Sequence, residues 1–168
     1  MTKEFIIRRE VKEYIDSAIV YCDFIESTET INSVEFLTKI RLLLLTLYQQ
    51  GFMFPLYNGN SQPDTEDLLG ESYFIVLKKI AQKIGNTNFY THMYDPTNSK
   101  DDKPVVGALS DDLGDIYRDL KGAILQLDLD SETARARALW DLHFLFRNHY
   151  AEHIINALYA IHFFLQFE

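Results

Sequence analysis

Apolar residues recur at three- and four-residue steps along most of this chain, a spacing that predicts helices. Val11, Tyr14, Ile15, Ala18, Ile19, Cys22 and Ile25 make one stripe of a first helix over about residues 2–26, with Lys12, Glu13, Asp16 and Asp23 on the other face. A second helix opens at Asn32 or Ser33, where Asn32 and Glu35 have capping-box spacing, and Gly51 is its natural stop. Inside it Leu42, Leu43, Leu44 and Leu45 put leucine round the whole cylinder, which predicts a central helix buried on every side. A third helix covers about residues 65–84, with a break at Gly70 and a stop at Gly85. The fourth is capped by Ser110, has Asp111 and Asp112 in its first turn where the helix dipole favours anions, and buries Leu109, Leu113, Ile116, Leu120, Ile124 and Leu127. Asp128-Leu129-Asp130 makes a tight turn, and Ser131 caps a fifth helix. From Ser131 to Phe167 there is no Gly and no Pro. Unbroken to Leu165, that helix is ~50 Å long, more than the ~40 Å width of a compact domain this size, so it bends or one end overhangs.

Two stretches break the helical period. Phe52 to Pro63 is aromatic in its first half and turn-forming in its second. Residues 86–106 read as an irregular segment. Tyr90, His92 and Tyr94 alternate with Phe89, Thr91 and Met93 in a short strand-like run, and Asp95 to Val106 carries loop chemistry. The fold is therefore all-α: a single domain over residues 1–168, a bundle of about five helices with a long C-terminal helix. Leu43, Leu44, Leu47, Leu113, Ile116, Leu120, Leu142, Phe146 and Ile154 are its expected core.

Composition narrows the function classes. With 47% hydrophobic and 24% charged residues in 168, the chain is globular and buries roughly two-thirds of its unfolded surface. One cysteine, Cys22, excludes a disulfide scaffold within the chain and a multi-cysteine zinc cluster, and its place on an apolar face reads as core packing. A net charge of −9 argues against nucleic acid, because phosphate contact needs a basic stripe. The longest uncharged stretch, Leu42 to Pro63, holds Gly51, Pro55 and Gly59 among its polar residues, so no membrane span is expected. The early charges Lys3, Glu4, Arg8 and Arg9 do not suit a secretory segment, and a cytoplasmic location is expected.

Candidate chemistry gathers in the last two helices. Asp111, Asp112, Asp115 and Asp119 resemble the aspartate-rich pattern with which some all-helical enzymes hold magnesium against a diphosphate, since carboxylates at i, i+3 and i+4 share a face and suit a hard cation. The same residues also suit a solvated acidic face. On the fifth helix His143 and Arg147 sit on the arc of Leu139, Leu142, Phe146, Tyr150, Ile154, Ala157 and Ile161, with His149 and His153 at its edge. Buried polar groups need partners, and the tight turn makes the aspartate helix the adjacent antiparallel neighbour. Asp112, Asp115, Asp119, Arg147, His149 and His153 are thus either a ligand site or interhelical ion pairs. If a divalent metal binds, Asp111, Asp115, His149 and His153 are the candidate ligands, because histidines at i, i+4 are a common metal pair. No Gly-rich phosphate loop, Gly-x-Ser-x-Gly or His-Glu-x-x-His occurs. Glu10-x-x-Glu13 lacks the Glu-x-x-Asp partner that all-α nucleotide pyrophosphohydrolases require.

Ser110-Asp111-Asp112-Leu113-Gly114-Asp115-Ile116-Tyr117-Arg118-Asp119-Leu120-Lys121, with Ala138-Leu139-Trp140, His149-Tyr150-Ala151-Glu152-His153 and Ala157-Leu158-Tyr159-Ala160-Ile161-His162, resembles an uncharacterised bacterial helical family, domain of unknown function 5063. The resemblance is strongest in the C-terminal third and implies a fold but no chemistry. The function expected on all these grounds is a non-enzymatic helical interaction module without a cofactor. Its partner is a second copy or a helical protein, reached through the apolar end Phe163, Phe164 and Phe167. The alternative is a metal- or phosphate-dependent hydrolase-type enzyme that uses the fourth-helix aspartates with His149 and His153.

Overall fold

The computed structural model describes residues 2–27, 29–59, 68–98, 100 and 103–166. Its helices are α1 (Thr2–Ile6), α2 (Arg9–Glu26), α3 (Ser33–Met53), α4 (Ser72–Ile84), α5 (Leu109–Asp128), α6 (Glu132–Leu145) and α7 (Ala151–Gln166), and strands β1 (Phe89–Met93) and β2 (Pro104–Ala108) lie between α4 and α5. A π-helical turn, Phe146–Tyr150, joins α6 to α7. Taken as one rod, α6, the turn and α7 give the all-α bundle its fifth long helix beside α2, α3, α4 and α5.

Local chemistry sets several ends. Asn32 Oδ1 accepts the Glu35 amide at 2.9 Å at the start of α3, and Ser131 Oγ accepts the Ala134 amide at 3.3 Å at the start of α6. Gly85 ends α4 at φ +66°, a conformation that favours glycine. Other boundaries move. The first helix divides at Ile7–Arg8, where Arg8 is extended at φ −61°, ψ 142°. The third starts at Ser72; residues 65–67 of its expected span lie outside the described residues.

The expected irregular stretch at 86–106 is instead an antiparallel hairpin, with Phe89 opposite Ala108 and Met93 opposite Pro104. Of the turn-rich residues, Asp95 to Asn98 make a turn between the strands. Val105 and Val106 suit a pleated strand, and Pro104 takes the strand's first position, where a missing N–H is tolerated. The hairpin also starts α5. Asn88 supplies both partners there: its carbonyl accepts the Leu109 amide at 2.8 Å and its Oδ1 the Ser110 amide at 2.8 Å. Ser110, the expected cap, is the second residue of the helix.

The central helix is α5, packed against α2, α4, α6 and α7, and not the leucine-rich α3. Only Leu44 and Leu47 of the leucine run turn fully inward; Leu42 and Leu45 are 59% and 51% exposed and Leu43 is half-buried. The remaining expected core residues are buried, as is Cys22, whose thiol burial pushes up in pKa. No described helix is long and apolar enough to cross a membrane.

Gly51 is not a stop. It lies inside α3, where a Cβ would come 2.5 Å from the Phe146 ring, so its role is close approach of α3 to the π turn. A π turn interrupts the long last helix at Phe146–Tyr150, and Phe164 and Leu165 pack back on the core. Phe163 is 42% exposed, and Phe167 lies outside the described residues. At the turn the fully buried Tyr150 hydroxyl donates to the Leu142 carbonyl at 3.1 Å and meets the Tyr14 hydroxyl in a hydrogen bond.

Three outcomes are expected in urea denaturation. Leu44→Ala costs ~2–5 kcal/mol while Leu42→Ala stays within about 0.5 kcal/mol, and equal costs would contradict the assigned faces. Gly51→Ala costs ~1–3 kcal/mol by overpacking Phe146. Tyr150→Phe removes two buried hydrogen bonds and lowers stability by ~1–3 kcal/mol; a neutral result would show the turn holds without them.

Candidate functional site

On α5, Asp112, Asp115 and Asp119 stand at i, i+3 and i+7, which places them along one face. Opposite them, His149 comes from the π turn and His153 from α7. His149 Nδ1 lies 2.6 Å from Asp119 Oδ2, and His153 Nδ1 lies 2.8 Å from Asp112 Oδ1. His153 Nε2 is 3.6 Å from Asp115 Oδ2, and the two imidazoles meet edge-on with centroids 4.9 Å apart. One ligand atom from each of Asp115, His149 and His153 falls within 4.8 Å of the others.

Two tyrosines and an arginine complete the cluster. Tyr90, from β1, donates its hydroxyl to Asp112 Oδ2 at 2.6 Å; Tyr73, from α4, donates to Asp115 Oδ1 at 3.2 Å. Gly107 makes room for the Tyr90 ring, since a Cβ there would come 2.6 Å from it. Arg118 Nη2 lies 3.0 Å from Asp115 and its Nε 3.7 Å from Asp119, with the guanidinium 5.5 Å from the Tyr73 ring centre. The depth is graded: the Asp112 and Asp119 side chains are 7% and 9% exposed, those of Asp115, His153 and His149 are 23%, 25% and 35%, and Arg118 is 43%.

The electrostatics follow from that packing. The hydrogen bond to Asp112 raises the His153 pKa, against burial, with the Asp112 and Asp115 charges adding to it. Burial raises the Asp119 carboxyl, and His149 opposes that shift. Tyr73 is pushed up to about 12 by burial and by Asp115, and burial and Asp112 raise Tyr90 further, so both phenols stay protonated and donate. With both imidazoles neutral, the three carboxylates and Arg118 leave two negative charges uncompensated.

The expected residues do not all converge. Arg147 is exposed, and its Nε contacts His143 Nε2 at 3.2 Å; it takes no part in the cluster. Two residues of helix separate it from His149, enough to turn it to the other side of the rod. Asp111 is also exposed and outside the ligand group, although burial and the neighbouring Asp115 and Asp112 charges raise its pKa. The roles of Tyr73, Tyr90 and Arg118 are not legible from local sequence. The aromatic alternation around Tyr90 was the visible signal, but nothing local shows that this strand lies on the start of α5.

The family described as Domain of unknown function (DUF5063) matches residues 5–166. The crystal structure of protein BF1032 from Bacteroides fragilis is similar with a TM-score of 0.80 and 21% sequence identity, covering 96% of this chain and 98% of that one. A likeness at that identity shows the fold alone. No curated protein matches.

Because His153 is held above its unfolded pKa, its pairing with Asp112 stabilises fully below about pH 6.5 and is lost as pH rises through the folded value. In metal-free protein, the stability lost in His153→Gln is therefore larger near pH ~6 than near pH ~9. Thermal melts of both forms across that range check this, and a gap that grows with pH would reverse the assignment.

Proposed function

This chain is a member of the DUF5063 family, and we propose that it is a metal-dependent, hydrolase-type protein whose divalent ion is held by Asp115, His149 and His153. One observation carries the reading. Each imidazole has its Nδ1 on a largely buried carboxylate, Asp119 or Asp112, and each offers a ring nitrogen within 4.8 Å of the other and of an Asp115 oxygen, with Nε2 of His153 facing Asp115. That is the way metal-bound histidines are oriented: the outer carboxylate fixes the tautomer and raises the basicity of the ligating nitrogen. Two imidazoles and one carboxylate suit zinc or another first-row ion and leave coordination positions open. Ligand atoms around an ion at ~2.0–2.2 Å stand roughly 3–3.5 Å apart, so the widest separation in the cluster, within 4.8 Å, has to close by roughly 1–2 Å. The Asp115–His153 pair, at 3.6 Å, is nearly there.

Charge supports the same reading. The two uncompensated negative charges equal one divalent cation, or one proton on each imidazole. Bound ion therefore displaces protons, and metal affinity rises with pH. A bound ion supplies Lewis acidity and a water of lowered pKa, which is hydrolytic chemistry. Asp112 and Asp119 orient the imidazoles; Tyr90 and Tyr73 hold the carboxylates.

The test is metal content and thermal stability of tag-free protein after chelation. Zn²⁺ or Mn²⁺ at a hundredfold excess over its dissociation constant should stabilise the fold by ~2.7 kcal/mol, and His149→Ala and Asp115→Ala should abolish that gain. Chelated protein that gains nothing from Zn²⁺, Mn²⁺ or Mg²⁺ is an ion-pair network and not a metal site.

A second reading has its own observation. Ile155, Tyr159 and Phe163 follow at four-residue steps along α7 and are 50%, 51% and 42% exposed. That ridge suits a helical partner or a second copy of the chain. Light scattering over a range of concentrations, with Tyr159→Glu as the disrupting variant, tests it. A full-length protein that stays monomeric removes self-association.

A further inference from the structure

We infer that Arg118 anchors a small oxyanion, a carboxylate or a phosphate, at the open side of the Asp115–His149–His153 centre; this rests on the metal reading above. Among the charged groups of the cluster, Arg118 is the most exposed, at 43% against 9% and 23% for its partners Asp119 and Asp115, so it stands at the mouth and not in the floor. Its Nη2 and Nε make the closest approaches to those two carboxylates, and no other described residue is paired with the guanidinium by an ion pair or hydrogen bond. The Tyr73 ring, 5.5 Å from the guanidinium, limits its swing, and the Tyr73 hydroxyl bonds to the same Asp115 oxygen that Arg118 contacts. Arg118 is thus held beside a candidate metal ligand by its guanidinium contacts, with nearly half of the side chain open to solvent. A planar guanidinium matches the two-oxygen fork of a carboxylate or phosphate.

The charge balance orders the events. Without metal, the guanidinium is engaged with two of the three carboxylates that outnumber it, and the cluster draws no anion. A divalent ion on Asp115 cancels that excess and draws on the carboxylate that Arg118 had neutralised. Arg118 then presents positive charge at the mouth, next to the ion's open positions. An oxyanion can bridge the two, one oxygen on the ion and another on Arg118. Anion binding is therefore conditional on metal.

The roles of Arg118 in metal and anion binding have opposite signs. Removing a cation 3.0 Å from a metal ligand strengthens binding of the ion, whereas an anion loses its anchor. The experiment uses the full chain with Co²⁺ as a visible probe, titrated with inorganic phosphate and separately with acetate. Wild-type Co²⁺ protein should change its spectrum with one of these anions, and metal-free protein should bind neither. A response to phosphate alone assigns phosphate esters, and a response to acetate alone assigns carboxylates. In Arg118→Gln, Co²⁺ should bind at least as tightly as in wild type while anion affinity falls tenfold or more. Arg118→Lys, which keeps the charge without the fork, should recover only part of the anion affinity and serves if the Gln variant does not fold. Undiminished anion affinity in both variants, or no anion response in the Co²⁺ protein, overturns the role of Arg118 and leaves the metal site standing. Failure of wild-type protein to bind Co²⁺ overturns both.

Discussion

One extra residue of helix, the π turn at Phe146–Tyr150, sets the phase on which the rest of this structure depends. A π turn adds about one residue to the repeat, so every side chain beyond it is rotated relative to a plain α-helix. The interior is built round that irregularity. Tyr150 and Tyr14 join hydroxyls beside the Leu142 carbonyl, and the Phe146 ring fills the space left by Gly51. With the turn in place, His149 and His153 face the aspartates of α5 while Phe146, Tyr150, Ile154, Ala157 and Ile161 remain in the core. Without it, either the histidines or the apolar ridge would be out of phase with α5.

The central helix is for the same reason the one whose polar residues have partners. α5 sinks Asp112 and most of Asp119 below the surface, which is costly for carboxylates unless each is matched. Its match comes from every side: histidines from the last helix, Tyr90 from the hairpin, Tyr73 from α4. The same helix binds its other neighbours by polar contacts, Tyr117 to Glu26 at 2.7 Å and Lys121 to Glu26 at 2.7 Å. α3, richer in leucine, has no such network and lies to one side, with Leu42 and Leu45 in solvent.

The hairpin links fold and site. Asn88 starts α5, and two residues later Tyr90 reaches Asp112 on that helix's first turn. The backbone contact that begins the helix therefore also places a donor on the carboxylate that orients His153. A candidate metal centre assembled from α5, the π turn and α7 is in this way braced by a strand pair.

Much of the architecture was legible in the sequence because it is local. Asn32, Ser131 and Gly85 act within a turn of their own helices, and the apolar stripes of α2 and α5 need only the 3.6 period. The pairing of α5 with the last helix followed from the short turn between them, and so did the nearness of the aspartates to the histidines. Leucine content misled about α3, because a run of four residues surrounds the cylinder whether or not each side has a neighbour. Position misled about Gly51 and Ser110, which suit a stop and a cap but serve as a packing gap and the second residue of a helix. Arg147 and Asp111 were indistinguishable by spacing from the residues that converge. Which of them turn inward depends on the phase of the π turn and on the pleat of a strand from elsewhere in the chain. Periodicity determined which residues are helical and which face of each helix is apolar; only tertiary packing, through one inserted residue and a hairpin laid across a helix start, decided which polar side chains meet.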